Sequence, residues 1–107
     1  MKHLSHIYHQ NDFACAGRCH CHNELHLIFG NISLLISVYD FFMLRAQVRH
    51  TYQKVQGKVA SPVEKDILVN TSVCNMVFLF SFQDLSCLKE VMDQTAMILE
   101  VEGILHG

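Results

Sequence analysis

The sequence predicts an α+β fold in which a β-hairpin followed by an amphipathic helix occurs twice (ββαββα). The expected arrangement is an antiparallel sheet packed by two helices in a two-layer sandwich. Three observations predict it. Two stretches alternate apolar and other residues with period two, and each runs into a stripe of helical spacing. Each junction carries a serine three residues before an aspartate, Ser37 with Asp40 and Ser81 with Asp84. The two halves also align at one constant offset.

The first hairpin covers residues 24–37. Leu25, Leu27 and Phe29 alternate with His26 and Ile28, and Ile32, Leu34 and Ile36 alternate with Ser33, Leu35 and Ser37. Gly30-Asn31 joins them, and both residue types tolerate the positive φ of a primed two-residue turn. Ser37 is then a good helix N-cap, with Asp40 in place of the usual glutamate of a capping box. Phe41, Leu44, Val48, Tyr52 and Val55 are spaced 3, 4, 4 and 3 residues apart, one helical stripe. Gly57 is placed to end that helix.

A linker, Gly57 to Pro62, holds the only proline. Ile67, Val69, Thr71 and Val73 then alternate with Leu68, Asn70 and Ser72. A turn is expected near Cys74-Asn75. Met76, Phe78, Phe80 and Phe82 alternate with Val77, Leu79 and Ser81. At an offset of 44 residues the first helical stripe falls on Leu85, Leu88, Met92, Ala96 and Leu99, Ser37 on Ser81, and Asp40 on Asp84. This agreement is the signature of an internal repeat. The plain alternative is that any two hairpin-helix units resemble one another.

At 107 residues the chain suits one domain, 1–107, with a first unit at 24–56 and a second at 63–102. Residues 1–23 are polar, rich in Cys and His, and show no clean period, so loop or irregular structure is expected there, with room for a short edge strand. Half the residues are apolar and 17% are charged, a globular composition. The net charge of −2 argues against a nucleic-acid-binding domain, which carries a basic excess. The stretch from Leu25 to Leu44 is apolar enough to resemble a membrane span. The Gly30-Asn31 turn pair and the polar His26 and Asp40 break it, so no membrane association is expected. Five cysteines without disulfide-framework spacing, and a start without an apolar leader, point to a reducing cytoplasm.

Several strand residues face away from the main apolar set: Ile28, Leu35, Leu68, Val77 and Leu79. Strands apolar on both faces are usually covered on both faces. The N-terminal segment or a partner subunit would supply the cover, and a homodimer is the commonest form. The halves also differ in charge. Arg45, Arg49, Lys54 and Lys58 follow one another without an acid between, while the second helix carries Asp84, Glu90, Asp93, Glu100 and Glu102 against Lys89. Two solvated faces explain this plainly. Complementarity between helices, or an anionic ligand at the first helix, is the functional alternative.

One constellation carries chemistry. Cys15, Cys19, Cys21, His22 and His26 are thiols and imidazoles, the groups zinc prefers, with His20 among them. Their C-x3-C-x-C spacing is not that of a zinc finger, and no second cysteine pair waits downstream. His26 would be the best-anchored ligand because a strand holds it; without metal it is a half-buried histidine bonded to a neighbour. His3, His6 and His9 recur every third residue and read as a frayed terminus. Cys74 and Cys87 read as structural, and His50 as a surface residue. No P-loop, dinucleotide fingerprint, H-E-x-x-H or G-x-S-x-G occurs, and no redox C-x-x-C. Without Trp, and with aromatics at core spacing, there is no stacking platform for bases.

The stretch Cys19-His20-Cys21-His22-Asn23-Glu24-Leu25-His26-Leu27-Ile28-Phe29-Gly30-Asn31 resembles the start of a small bacterial family whose members carry a Cys/His cluster, a strand with a histidine and an F-G-N-type turn. The resemblance implies no activity. It implies that Cys19, Cys21 and His26 act together.

The functional expectation is a small cytoplasmic module that binds or regulates another protein, not an enzyme, with Zn2+ as the one candidate cofactor. A metal-dependent enzyme or metal-handling protein built on the Cys/His cluster is the first alternative. A small-molecule sensor with a pocket between sheet and helices is the second.

Overall fold

A computed structural model of the chain describes residues 4–19, 24–71 and 76–106. Its elements run β1 (Leu4–Gln10), β2 (Ala14–Cys19), β3 (Leu25–Phe29), β4 (Ile32–Ile36), α1 (Val38–Val55), β5 (Ile67–Thr71), β6 (Met76–Phe80) and α2 (Phe82–His106). The fold is α+β, with six antiparallel strands in two sheets and two helices among the described residues.

The first sheet is a four-stranded meander in the order β1-β2-β3-β4. Two short turns fix its register. The β1–β2 turn is an Asx turn, in which Asn11 Oδ1 accepts from the Phe13 and Ala14 amides at 3.0 and 2.9 Å. The β3–β4 turn is the expected Gly30-Asn31, with Gly30 at φ +56°, where a side chain would be strained. It sets Phe29 opposite Ile32 and Ile28 opposite Ser33.

Two expectations are corrected here. The first 23 residues hold more than irregular structure with a short edge strand, since residues 4–19 form the paired strands β1 and β2. His6 and His9 therefore sit on a paired strand and not on a frayed end: His6 meets the Tyr8 ring edge-on at 4.9 Å, and His9 Nε2 lies 2.8 Å from Glu90 Oε2. The ββαββα duplication is not established either. β3–β4–α1 and β5–β6–α2 do follow one another in the expected local order. Yet the first hairpin is half of a four-stranded sheet, while β5–β6 is a separate two-stranded one. The difference lies in β1 and β2, which have no counterpart before β5.

Both helix starts form as expected. Ser37 Oγ accepts from the Asp40 amide at 3.0 Å, and Ser81 Oγ from the Asp84 amide at 3.0 Å. At α2 the box also closes in reverse, because Asp84 Oδ2 accepts from the Ser81 amide at 3.3 Å. α1 ends where Gln56 donates to the Tyr52 carbonyl, and Gly57 follows at φ +82°. Replacing Ser81 with alanine is expected to cost about 1 kcal/mol and more than Ser37→Ala, because each change removes one cap bond from its Oγ but Ser81 is buried and Ser37 exposed. Equal urea midpoints for the two variants would contradict this.

The stripes pack as their spacing requires. Phe41, Leu44 and Val48 of α1 and Leu85, Leu88, Met92, Ala96 and Leu99 of α2 are buried, and Tyr52 and Val55 pack at the edge of the same core. α2 lies against β1, β2 and β6, and α1 against α2 and β5. Small side chains at Ala14 and Ala16 on β2 face this core together with Leu25, Leu27 and Phe29. Phe29 is the hinge of the packing. Its ring stands 5.1 Å from Phe78 and 5.7 Å from Phe80, joining the two sheets, and Phe13 meets Phe80 at 6.1 Å.

Candidate functional site

The register of the first sheet sorts the candidate ligands. Cys15 pairs with Ile28 and Gly17 with His26, so Cys15, Ile28 and His26 share the face turned away from the core. Across the hairpin, Ser33 and Leu35 lie on the same face. Although this is the outer face, Cys15 is 5% exposed and His26 8%. His26 Nε2 is in close contact with Ser33 Oγ, and Cys15 Sγ lies 3.7 Å from Gln10 Oε1. Burial pushes the Cys15 thiol up, so it is protonated and a poor nucleophile at neutral pH.

Of the expected metal ligands, the structure therefore brings Cys15 and His26 onto one face. Cys19 closes β2, while Cys21 and His22 lie outside the described residues. Among the described residues, no three His, Cys, Asp or Glu side chains converge as a metal site. Cys74 also lies outside them. Cys87 sits on α2, where burial and the neighbouring Glu90, Asp84 and Asp12 push its thiol up, an unreactive setting. Sequence reasoning missed Ser33 and Gln10. Ser33 was within reach, because a two-residue turn after Phe29 fixes Ile28 opposite Ser33 and puts His26 on the diagonal.

A second region of the surface concerns α1 and the second sheet. Ile67 and Val69 pair with Phe80 and Phe78 on the core side. On the other side Leu68 pairs with Leu79, and Val77 follows next to them. Leu68 is 61% exposed, Val77 58% and Leu79 51%. Both strands of this sheet have one edge without a strand partner among the described residues. Leu35 on the first sheet is exposed as well, and Ile28 is half-buried.

The charges fall into two groups. Some are spent on packing. Arg45 Nε donates to Asp93 Oδ1 at 2.9 Å between the helices, and Lys89 Nζ to Asp93 Oδ2 at 2.8 Å within α2. Lys65 pairs with Asp84 at the α2 cap, and Tyr8 and Arg18 converge on Glu102. Complementarity between the helices is thus realised at Arg45–Asp93. Arg49, Lys54 and Lys58 are exposed and enter no ion pair among the described residues.

Partial burial works to raise both the Asp84 and Asp93 carboxyls. Lys65 and Ser81 at Asp84, and Lys89 and Arg45 at Asp93, outweigh it and hold both below the ordinary carboxylate value. A depressed native value means the unfolded chain takes up the proton first. The contribution to stability is then complete above the ordinary carboxylate value, about pH 4, and is lost as pH falls through the lower native values. Asp93→Asn is expected to flatten the acid branch of the stability–pH curve. An unchanged slope between about pH 4 and pH 2 in urea titrations would remove that assignment.

No helix among the described residues is long and apolar enough to cross a membrane. No family model matches the sequence, and neither a curated protein nor a solved structure matches the chain.

Proposed function

We propose that this chain is a small non-enzymatic module of protein interaction that works as a homodimer in the cytoplasm. One observation carries the reading: Leu68, Val77 and Leu79 form a contiguous apolar surface on the outer side of a sheet of only two strands. A lone hairpin is marginal in water, and one with an uncovered apolar face gains most from a second layer. A two-fold contact would set this face on its own copy, burying the same residues twice. The side-chain chemistry points the same way, since the Cys15 and Cys87 thiols are held protonated and His26 is engaged by Ser33.

Sedimentation equilibrium at micromolar concentration tests it. A dimer is expected, and Leu68→Lys, on an exposed position, should shift it toward a folded monomer. A wild-type monomer would refute the dimer.

A structural zinc ion is the second reading, favoured by Cys15 and His26 sharing one face. Two such donors are half of a tetrahedral set, and Cys19, Cys21 and His22 are the remaining candidates. Elemental analysis decides: close to one zinc per chain, reduced by Cys15→Ser, is expected on this reading, and metal-free folded protein removes it.

A further inference from the structure

We propose that the free edge of β5 accepts an added strand from a partner segment that alternates acidic and apolar residues. The proposal rests on the interaction-module reading and gives that module its ligand. Three observations carry it.

The first is backbone chemistry. Along Ile67 to Asn70, β5 pairs with β6 alone among the described residues, so one row of amides and carbonyls there faces no strand. Such an edge is a template for an incoming strand.

The second is shape. A cleft of about 400 Å3 runs between α1 and β5, with His50, Thr51 and Lys54 on one wall and Asp66, Leu68 and Asn70 on the other. Ile67, which points to the core, lines it as well. A cleft touched by residues from both faces of one strand lies along that strand's edge. It continues into a neighbouring cleft of about 230 Å3 that shares Val55, Asp66 and Ile67 and adds Lys58. α1 therefore forms a wall beside the edge and leaves the edge itself open.

The third is charge. Lys54 of α1 and Lys58 just beyond it line these clefts with the polar His50, and among the described residues Asp66 is the one carboxylate there. Lys54 and Lys58 have no ion-pair partner among the described residues.

An added strand sends alternate side chains to opposite faces. Those turned toward α1 meet Lys54, Lys58 and His50, so acidic residues suit them. Those turned outward extend the surface of Leu68 and Leu79, so apolar residues suit them. The two preferences interleave with period two, and this selects an acidic–apolar alternation over a uniformly acidic or uniformly apolar peptide.

The test uses the full chain and a fluorescently labelled heptapeptide of alternating valine and glutamate, followed by anisotropy. Saturable binding is expected, weaker at higher salt. Lys54→Glu with Lys58→Glu should weaken it roughly tenfold or more, as should replacing the peptide's glutamates with lysine. Both lysines are exposed, and an unchanged unfolding midpoint shows that the variant is folded. Methylating alternate backbone nitrogens of the peptide should abolish binding, because the charge is kept and the strand pairing is not.

Absence of binding, equal binding of the methylated peptide, or equal binding of the valine–lysine peptide would each overturn the proposal. Sedimentation of the same sample separates this outcome from failure of the broader reading. A dimer that ignores the peptide overturns the edge proposal alone; a monomer that ignores it overturns both. A dimer whose β5 amides resist hydrogen exchange without peptide gives the edge to a second copy and overturns the acidic partner.

Discussion

Replacing Phe29 with alanine is expected to destabilise the protein by about 3–5 kcal/mol, the cost of removing a buried aromatic ring. Phe29 is 1% exposed, and its ring touches both Phe78 and Phe80. The effect should be uneven. β3 keeps two strand neighbours, β2 and β4, whereas β5–β6 is a pair that leans on the aromatic cluster and the helices. Native-state hydrogen exchange should therefore show the amides of β5 and β6 losing more protection than those of β2 and β3. Uniform loss would mean that the two sheets unfold as one unit and that the aromatic cluster is not what holds the hairpin.

What could be read from the sequence followed from how strongly each element declares its period. The Gly30-Asn31 turn, both serine caps and both helical stripes were legible, because each is a local device with its own residue signature. β1 and β2 were not. β2 reads Ala-Cys-Ala-Gly-Arg-Cys, and its core-facing positions, Ala14 and Ala16, are small where a strand is usually recognised by bulk. β1 carries irregularities in its pairing between Leu4 and His6 and between Ile7 and His9, which break the alternation that marks a strand.

The same two strands explain why the repeat in the sequence is not established as a repeat in the sheets. The offset aligned true capping and core positions, but a sequence offset says nothing about which sheet a hairpin joins. The candidate site was legible only in part. Residue chemistry singled out Cys15 and His26, and the sheet does bring them to one face. The partners that engage them, Gln10 and Ser33, are common polar residues with no signature of their own and emerge only from the strand register.

Ala16→Leu offers the sharpest contrast between an irregular N-terminal segment and the β2 strand. In an irregular, solvated segment a leucine at position 16 would change stability by less than about 0.5 kcal/mol. In the structure Ala16 is 1% exposed, paired with Leu27 and with His9, on a strand that packs against α2. Three added carbons have no space there unless α2 or β2 moves, and overpacking of this kind costs about 1–3 kcal/mol. Displacing α2 from β2 would also strain the contacts that tie β1 and its turn to the helix. These are His9 to Glu90 at 2.8 Å, Asn11 Nδ2 to the Cys87 carbonyl at 2.8 Å, and the Tyr8 hydroxyl to Glu102 at 3.2 Å. The loss is therefore expected at the upper end of that range, read as a lower urea midpoint. Leu35→Ala, on the exposed outer face, should shift the midpoint far less. If both variants unfold at the wild-type midpoint, β2 is not packed beneath α2. If Ala16→Leu alone falls, the small residues of β2 are there to let the helix lie close.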